Sequence, residues 1–163
     1  MEKTIVQEIH NEKLKFLALS LLGGLLIHLG ALIKIPMYPV PYTLQTLAIS
    51  ILALIQSPQQ AFASVCCYLA FGTAGPSIFL GKCGGYFIAF PIAAYLMAKM
   101  RQRYPALIAL LCGNALILLL GALWLIPFFG VKIAFTKGAF IFIPSALLKI
   151  AAALVFYKWR NDT

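Results

Sequence analysis

Long apolar runs separated by short polar, proline-bearing or glycine-bearing breaks make up this chain. Six runs stand out, at residues 16–33, 44–55, 61–73, 86–98, 106–126 and 139–157. A helix needs about 20 apolar residues to cross a hydrocarbon core; runs two to four fall short of that length. The pattern still predicts an all-α integral membrane protein of about six transmembrane helices, with residues 16–163 forming one domain. Residues 1–15 are polar, with Ile5, Ile9 and Leu14 on helical spacing. They are expected to form a cytoplasmic amphipathic segment along the membrane surface. The breaks predict a tight turn at 56–60, a long glycine-bearing loop through 72–85, a basic turn at 99–103 and a second basic loop at 127–137.

Composition agrees with the pattern. The chain has 163 residues, 63% hydrophobic and 10% charged, and a mean hydropathy of +0.96, well above soluble domains. Its acids are Glu2, Glu8, Glu12 and Asp162, so no carboxylate side chain lies between Lys13 and Asn161. The formal charge of +9 sits at loop ends, without the basic helix or aromatic-interleaved stripe that tracks a nucleic acid. No cleavable leader is expected, because the first run follows an acid-bearing stretch and has no small-residue cleavage site behind it. Cys66 and Cys67 are adjacent, which suits neither a disulfide framework nor a metal knuckle. Cys66, Cys67 and Cys112 are expected as small buried hydrophobes and Cys83 as a loop residue.

Orientation follows the cations. With six crossings, Lys3, Lys13, Lys15, Lys99, Arg101, Arg103, Lys158 and Arg160 share one side, against Lys34, Lys82, Lys132 and Lys137 on the other. Both termini are therefore expected in the cytoplasm and the long loops outside.

The stretch 34–46, Lys-Ile-Pro-Met-Tyr-Pro-Val-Pro-Tyr-Thr-Leu-Gln-Thr, is the most informative break. Pro36, Pro39 and Pro41 lack amide donors and push their predecessors out of the helical basin, so the segment must be extended. Irregular backbone near membrane depth needs cover from protein or a wet cavity, which makes this stretch either the wall of a pocket or a tight loop capping a helix. Thr43, Gln45 and Thr46 place polar groups at the start of the following helix, where backbone amides are unpaired.

Lys149 lies in the last apolar run, five residues past Pro144. A lysine there either snorkels to the headgroups or faces the bundle interior. With no membrane carboxylate to pair it, an interior ammonium must find carbonyls or an anion from outside. Together with the outer lysines it favours an anionic or carboxylate-bearing small molecule as ligand. The same residues exclude other classes. No Ser-His-Asp set or metal cluster can be assembled, and no phosphate-binding Gly-x-x-x-x-Gly-Lys-Ser/Thr loop is present. Active transport would thus draw its energy from a partner.

Three segments resemble one family. Val40-Pro41-Tyr42-Thr43-Leu44-Gln45-Thr46-Leu47-Ala48, then Tyr68-Leu69-Ala70-Phe71-Gly72-Thr73-Ala74-Gly75-Pro76, then Gly84-Gly85-Tyr86-Phe87-Ile88-Ala89-Phe90-Pro91, in that order and followed by Pro144 and Lys149, are similar to BioY. That family is the biotin-specific substrate-binding (S) component of energy-coupling-factor transporters. The resemblance covers nearly the whole chain after residue 16. It implies an S-component-like bundle in the plasma membrane of a prokaryote, binding biotin at its extracellular end as transported ligand, with no cofactor. It also implies partners, a transmembrane coupling subunit and two cytoplasmic ATPases, with membrane lipid around them. Ala18, Ser20, Gly23 and Gly24 on the first helix are the small residues that would dock the coupling subunit, although small residues also serve close helix packing inside one chain.

For a biotin pocket the resemblance implies Phe79 and Tyr86 against ring and chain, Thr43, Gln45 and Asn114 toward the ureido atoms, and Lys82 or Lys149 toward the carboxylate. Tyr42, Gly84 and Gly85 belong to the same segments. Asn114 equally suits a bond between helices; Tyr86 and Trp124 equally suit an interfacial belt. Two departures touch the site. The family's Pro-Gly-Asp-Leu-Leu-Lys reads Pro144-Ser145-Ala146-Leu147-Leu148-Lys149 here, and its Pro-Thr before Gly-Gly-Tyr reads Lys82-Cys83. Another carboxylated vitamin is therefore an alternative ligand. A small membrane enzyme acting on lipid or quinone through His28 or Cys83, and a scaffold that binds no small molecule, are alternatives of other classes.

Overall fold

The computed structural model describes residues 2–71 and 81–162, with the side chains of the first helix described from Asn11 onward. Six α-helices occupy most of these residues: α1 (Glu2–Leu32), α2 (Gln45–Ile55), α3 (Pro58–Phe71), α4 (Gly84–Met100), α5 (Ala106–Gly138) and α6 (Ile143–Asp162). The first helix runs without a break through the polar N-terminal residues into the first apolar run.

The proline-rich stretch is extended, as its prolines require. Strand β1 (Lys34–Ile35) pairs antiparallel with β2 (Tyr42–Thr43), matching Lys34 to Thr43 and Ile35 to Tyr42. The Tyr38–Pro39 peptide between them is cis. The hairpin is tied to the bundle where the Leu44 amide donates to the Gly30 carbonyl at 3.0 Å. A side chain at Gly30 would meet Leu44 O at 3.0 Å, so the missing Cβ lets α2 start against the end of α1.

The helices pack as a ring. α1 lies on α3, α3 on α4, α4 on α5, α5 on α6, α6 on α2 and α2 on α1, while α2 also crosses the ring to α4. Small residues set the α4–α5 contact. A Cβ on Gly85 would strike the Leu120 carbonyl at 2.7 Å and the Trp124 side chain, and Gly121 leaves room for the Tyr86 ring. The α1–α3 contact is built likewise, as a Cβ on Gly24 would stand 3.0 Å from the Tyr68 amide nitrogen. Close backbone approach of this kind is how helices associate where hydrophobicity gives no preference for one another over lipid.

The outward faces are apolar. Leu17, Leu21, Leu25 and Leu29 of α1 and Leu119 and Leu123 of α5 are exposed, an amount of apolar surface that monomeric water-soluble proteins rarely show. Residues Asn11–Leu32 and Ala106–Asp162 are long and apolar enough to cross a membrane; α2 and α4 are shorter apolar helices.

Residues 127–137, expected as a basic loop, are helical. α5 continues through Pro127 and breaks only at Gly130, which has φ 75° and ψ 164°. Pro127 removes one hydrogen bond without ending the helix, and apolar neighbours on both sides keep the helical path favourable. A 3-10 turn at Phe140–Phe142 then leads into α6. Pro144 falls in the first turn of α6, where no amide is needed.

Candidate functional site

Residues from all six helices and the hairpin converge on one cavity of about 310 Å³. Ala31 of α1, Val40 and Thr43 of the hairpin, Gln45 and Thr46 of α2, Tyr68 of α3, Tyr86 and Phe90 of α4, and Phe142 and Lys149 about the start of α6 all face it. From the first half of α5, Asn114 and Ile117 line it as well. Apolar walls with a few convergent polar groups are the usual make-up of a small-molecule site.

The polar groups form two sets. Thr43 Oγ1 donates to Gln45 Oε1 at 2.7 Å, and Gln45 Nε2 donates to the Tyr68 hydroxyl, so the start of α2 is linked to the end of α3. On the other wall Lys149 Nζ donates to Thr46 Oγ1 at 3.1 Å. Asn114 Nδ2 donates to the Leu110 carbonyl at 2.9 Å and to Ser50 Oγ at 3.3 Å. Gln45 and Asn114 are 6% and 5% exposed, so both are built into the wall and held by these bonds.

Tyr86 is fixed from both ends. Its hydroxyl donates to the Gly138 carbonyl, and its ring lies over Gly121. The close approach to Phe142, with ring centroids 6.4 Å apart, joins it to the floor of the α6 start. Tyr42 of the hairpin stacks on the same Phe142 at 4.6 Å and donates its hydroxyl to the Ile141 carbonyl. It braces the hairpin against α6 and faces a neighbouring groove beside Ile33 and Leu148.

A family model described as the BioY family matches residues 2–161. The chain belongs to the BioY family. A probable biotin transporter BioY of Pyrococcus horikoshii is 34% identical over 153 residues, covering 88% of this chain and 94% of that protein. Biotin transporter BioY2 of Lactococcus lactis is 30% identical, with 94% and 96% covered. Among solved structures, the S-component for biotin from an ECF-type ABC transporter matches with a TM-score of 0.79 at 27% identity, over 94% of each chain. The fold is thus that of an S-component, and BioY chains are membrane proteins of prokaryotes.

Of the residues expected at a BioY site, Thr43, Gln45, Tyr86, Asn114 and Lys149 come together around the cavity. Lys82 does not. Its ammonium stands 4.7 Å from the centroid of the Tyr38 ring and 5.8 Å from that of Phe129, a cation–π position that draws it toward the hairpin tip. Lys34 lines the cavity in its place, a role the sequence pattern did not single out. Gly84 opens α4, and Gly85 serves the contact with Trp124 and Leu120. Phe79 lies outside the described residues. Tyr68 was not among the expected site residues, although it opens the second of the three similar segments; its partner Gln45 is what brings it to the cavity.

Three of the four small residues expected to dock a partner are used inside the chain. Ser20 and Gly23 are buried, a Cβ on Gly23 would meet the Ser64 side chain, and Gly24 closes on Tyr68 and Ser64. Ala18 is exposed. The cysteines are all free: Cys66, Cys67 and Cys83 are half-buried, while Cys112, expected inside, is on the outward face of α5. Cys83 lines the cavity; burial pushes its thiol up, against a smaller downward pull from Lys82. His28 faces a separate groove between α1 and α3, so the two reactive groups weighed for an enzyme do not share a site.

Proposed function

We propose that this BioY-family chain is a membrane subunit that captures biotin and mediates its uptake. The observation that carries this reading is the cavity itself: apolar walls, a buried amide at its deep end, and Lys34 and Lys149 with no membrane carboxylate to neutralise them. Biotin has the matching parts, an apolar valerate chain, a ureido ring and a carboxylate. In this reading Lys149 meets the carboxylate, Tyr86 packs the ring or chain, and Thr43, Gln45 and Asn114 address the ureido group. The bundle spans the membrane with both termini in the cytoplasm and the hairpin outside. A transmembrane coupling subunit and two cytoplasmic ATPases supply the energy, in keeping with the absence of a phosphate-binding loop from the sequence.

The test is equilibrium binding of biotin to the purified protein in detergent, beside a panel of other vitamins. Saturable biotin binding that weakens when the carboxylate is esterified is expected. A different carboxylated vitamin binding in its place overturns the ligand and keeps the architecture; Ala146, which also lines the cavity, is the residue that favours keeping this second reading in view. Binding of no vitamin removes the capture role.

A further inference from the structure

α5 packs closely on α4 but meets α6 only lightly, and between α5 and α6 runs an apolar groove of about 770 Å³. Leu111, Ala115 and Leu118 of α5 and Ala146, Leu147 and Ile150 of α6 line it. It opens outward, since Leu111 and Leu147 are exposed. Asn114, Leu118 and Ala146 line both this groove and the ligand cavity. A single layer of side chains therefore separates the two, and whatever fills the groove backs the cavity wall.

The groove has a charged foot. Ile143, Ala146, Leu147 and Ile150 form its stripe on α6, and the same helix face reaches Tyr157 two turns further on. The Tyr157 hydroxyl is hydrogen-bonded with the side chain of Arg101, just past the end of α4. That phenol is neutral, and the sequence places no carboxylate on α4, α5 or the turn between them. Arg101 Nε is buried without a partner, while the residue as a whole stays partly exposed. Leaving donors of a charged group unpaired is costly. Exposed Tyr104 and Trp159 mark the headgroup level, where such aromatics gather. We infer that α4, α5 and α6 form a site for one anionic phospholipid, with its phosphate on Arg101 and an acyl chain lying along the groove as far as Ala146. A phosphate matches the guanidinium fork. A zwitterionic lipid brings its own ammonium to that phosphate, and an anionic one leaves the charge for Arg101. A second copy of the chain would bring another Arg101 and no membrane carboxylate. The inference goes beyond ligand capture and needs only that the bundle spans the membrane.

The experiment is quenching of tryptophan fluorescence by phospholipids with dibrominated acyl chains, in vesicles mixing phosphatidylglycerol with phosphatidylcholine. Leu119→Trp, in a chain carrying Trp124→Phe and Trp159→Phe, puts the sole tryptophan on the groove. Leu22→Trp in the same background puts it on the exposed face of α1. At the groove, phosphatidylglycerol should be preferred by about fivefold or more, the worth of one cation at a membrane surface; on α1 the two lipids should quench alike. Arg101→Gln should bring the groove ratio toward one. Lys99→Gln removes a charge from the same helix end, but that ammonium lies 5.6 Å from the centroid of the Tyr95 ring, so the ratio should hold. Equal preference at the two tryptophan positions overturns the inference whether or not any charge variant folds. So does an unchanged ratio in a folded Arg101→Gln, or an equal loss in Lys99→Gln, which marks general attraction to the surface. Absence of quenching by either lipid at the groove, with quenching on α1, overturns it by showing that protein fills the gap. None of these readouts uses biotin, so failure of the capture reading is a separate result.

Discussion

The ammonium of Lys149 and the hydroxyl of Thr46 lie 3.1 Å apart, joining α6 to the first turn of α2 across the wall of the cavity. A neutral hydroxyl orients the cation without neutralising it. The counter-charge is left for whatever occupies the cavity.

Replacing Lys149 by alanine should lower biotin affinity by about 10- to 100-fold, the range of a charge-assisted hydrogen bond, and leave the fold intact. The methyl ester of biotin should lose far less. Calorimetric titration of both ligands checks this, and an equal loss for the ester would place the carboxylate elsewhere. Lys82→Ala should change affinity only slightly, because that cation is engaged with Tyr38 and Phe129.

Gly121→Ala should destabilise the bundle by about 1–3 kcal/mol, as overpacking does, because the new methyl group would enter the space of the Tyr86 ring. The displaced ring would also lose its bond to Gly138, so biotin affinity should fall with the melting temperature. Tyr86→Phe keeps the ring and gives up the hydroxyl, at about 1 kcal/mol. Thermal unfolding in detergent, with and without biotin, separates the two.

At Gly130 the expected cost has another origin. A Cβ there would meet nothing within 4 Å, but φ of 75° with ψ of 164° is a backbone region essentially reserved for glycine. Gly130→Ala should cost about 1–3 kcal/mol through the backbone alone. An unchanged melting temperature would mean that the break in α5 can relax to ordinary helical angles.

Cys83 offers a chemical readout of occupancy. Its thiol is raised by burial, and the thiolate is the reactive form. In a variant retaining Cys83 alone among the cysteines, alkylation should be slow at neutral pH. It should keep rising about tenfold per pH unit past the point where an ordinary thiol, with a pKa of about 8.5, levels off. Since Cys83 lines the cavity, saturating biotin should slow the reaction further. Equal rates with and without biotin would separate the thiol from the ligand.

The extended path of residues 34–46 was legible, though not its pairing as a hairpin, because proline acts locally: three prolines in six residues, at 36, 39 and 41, forbid helix whatever surrounds them. Gln45, Asn114 and Lys149 were legible because polar groups in apolar runs need partners. Residues 127–137 were misread because Pro127 and two lysines resemble a loop, while the actual break depends on the backbone of Gly130. Small residues on α1 were equally ambiguous, since a glycine that admits a partner helix is the same as one that admits α3. Lys82 was expected at the site ahead of Lys34, and the reversal depends on where the hairpin places Tyr38.

The 11 residues of α2 rise about 16 Å at 1.5 Å per residue, roughly half the thickness of a hydrocarbon core. One end of that helix carries Gln45 and Thr46 at the cavity, and the other is followed by Gln56, whose side-chain amide donates to the Leu19 carbonyl of α1 at 3.3 Å. In the proposed reading a ligand in the cavity would lie beneath the hairpin, about three helical turns from the turn that joins α2 to α3. On that reading, capture would itself carry the ligand part of the way along the bundle.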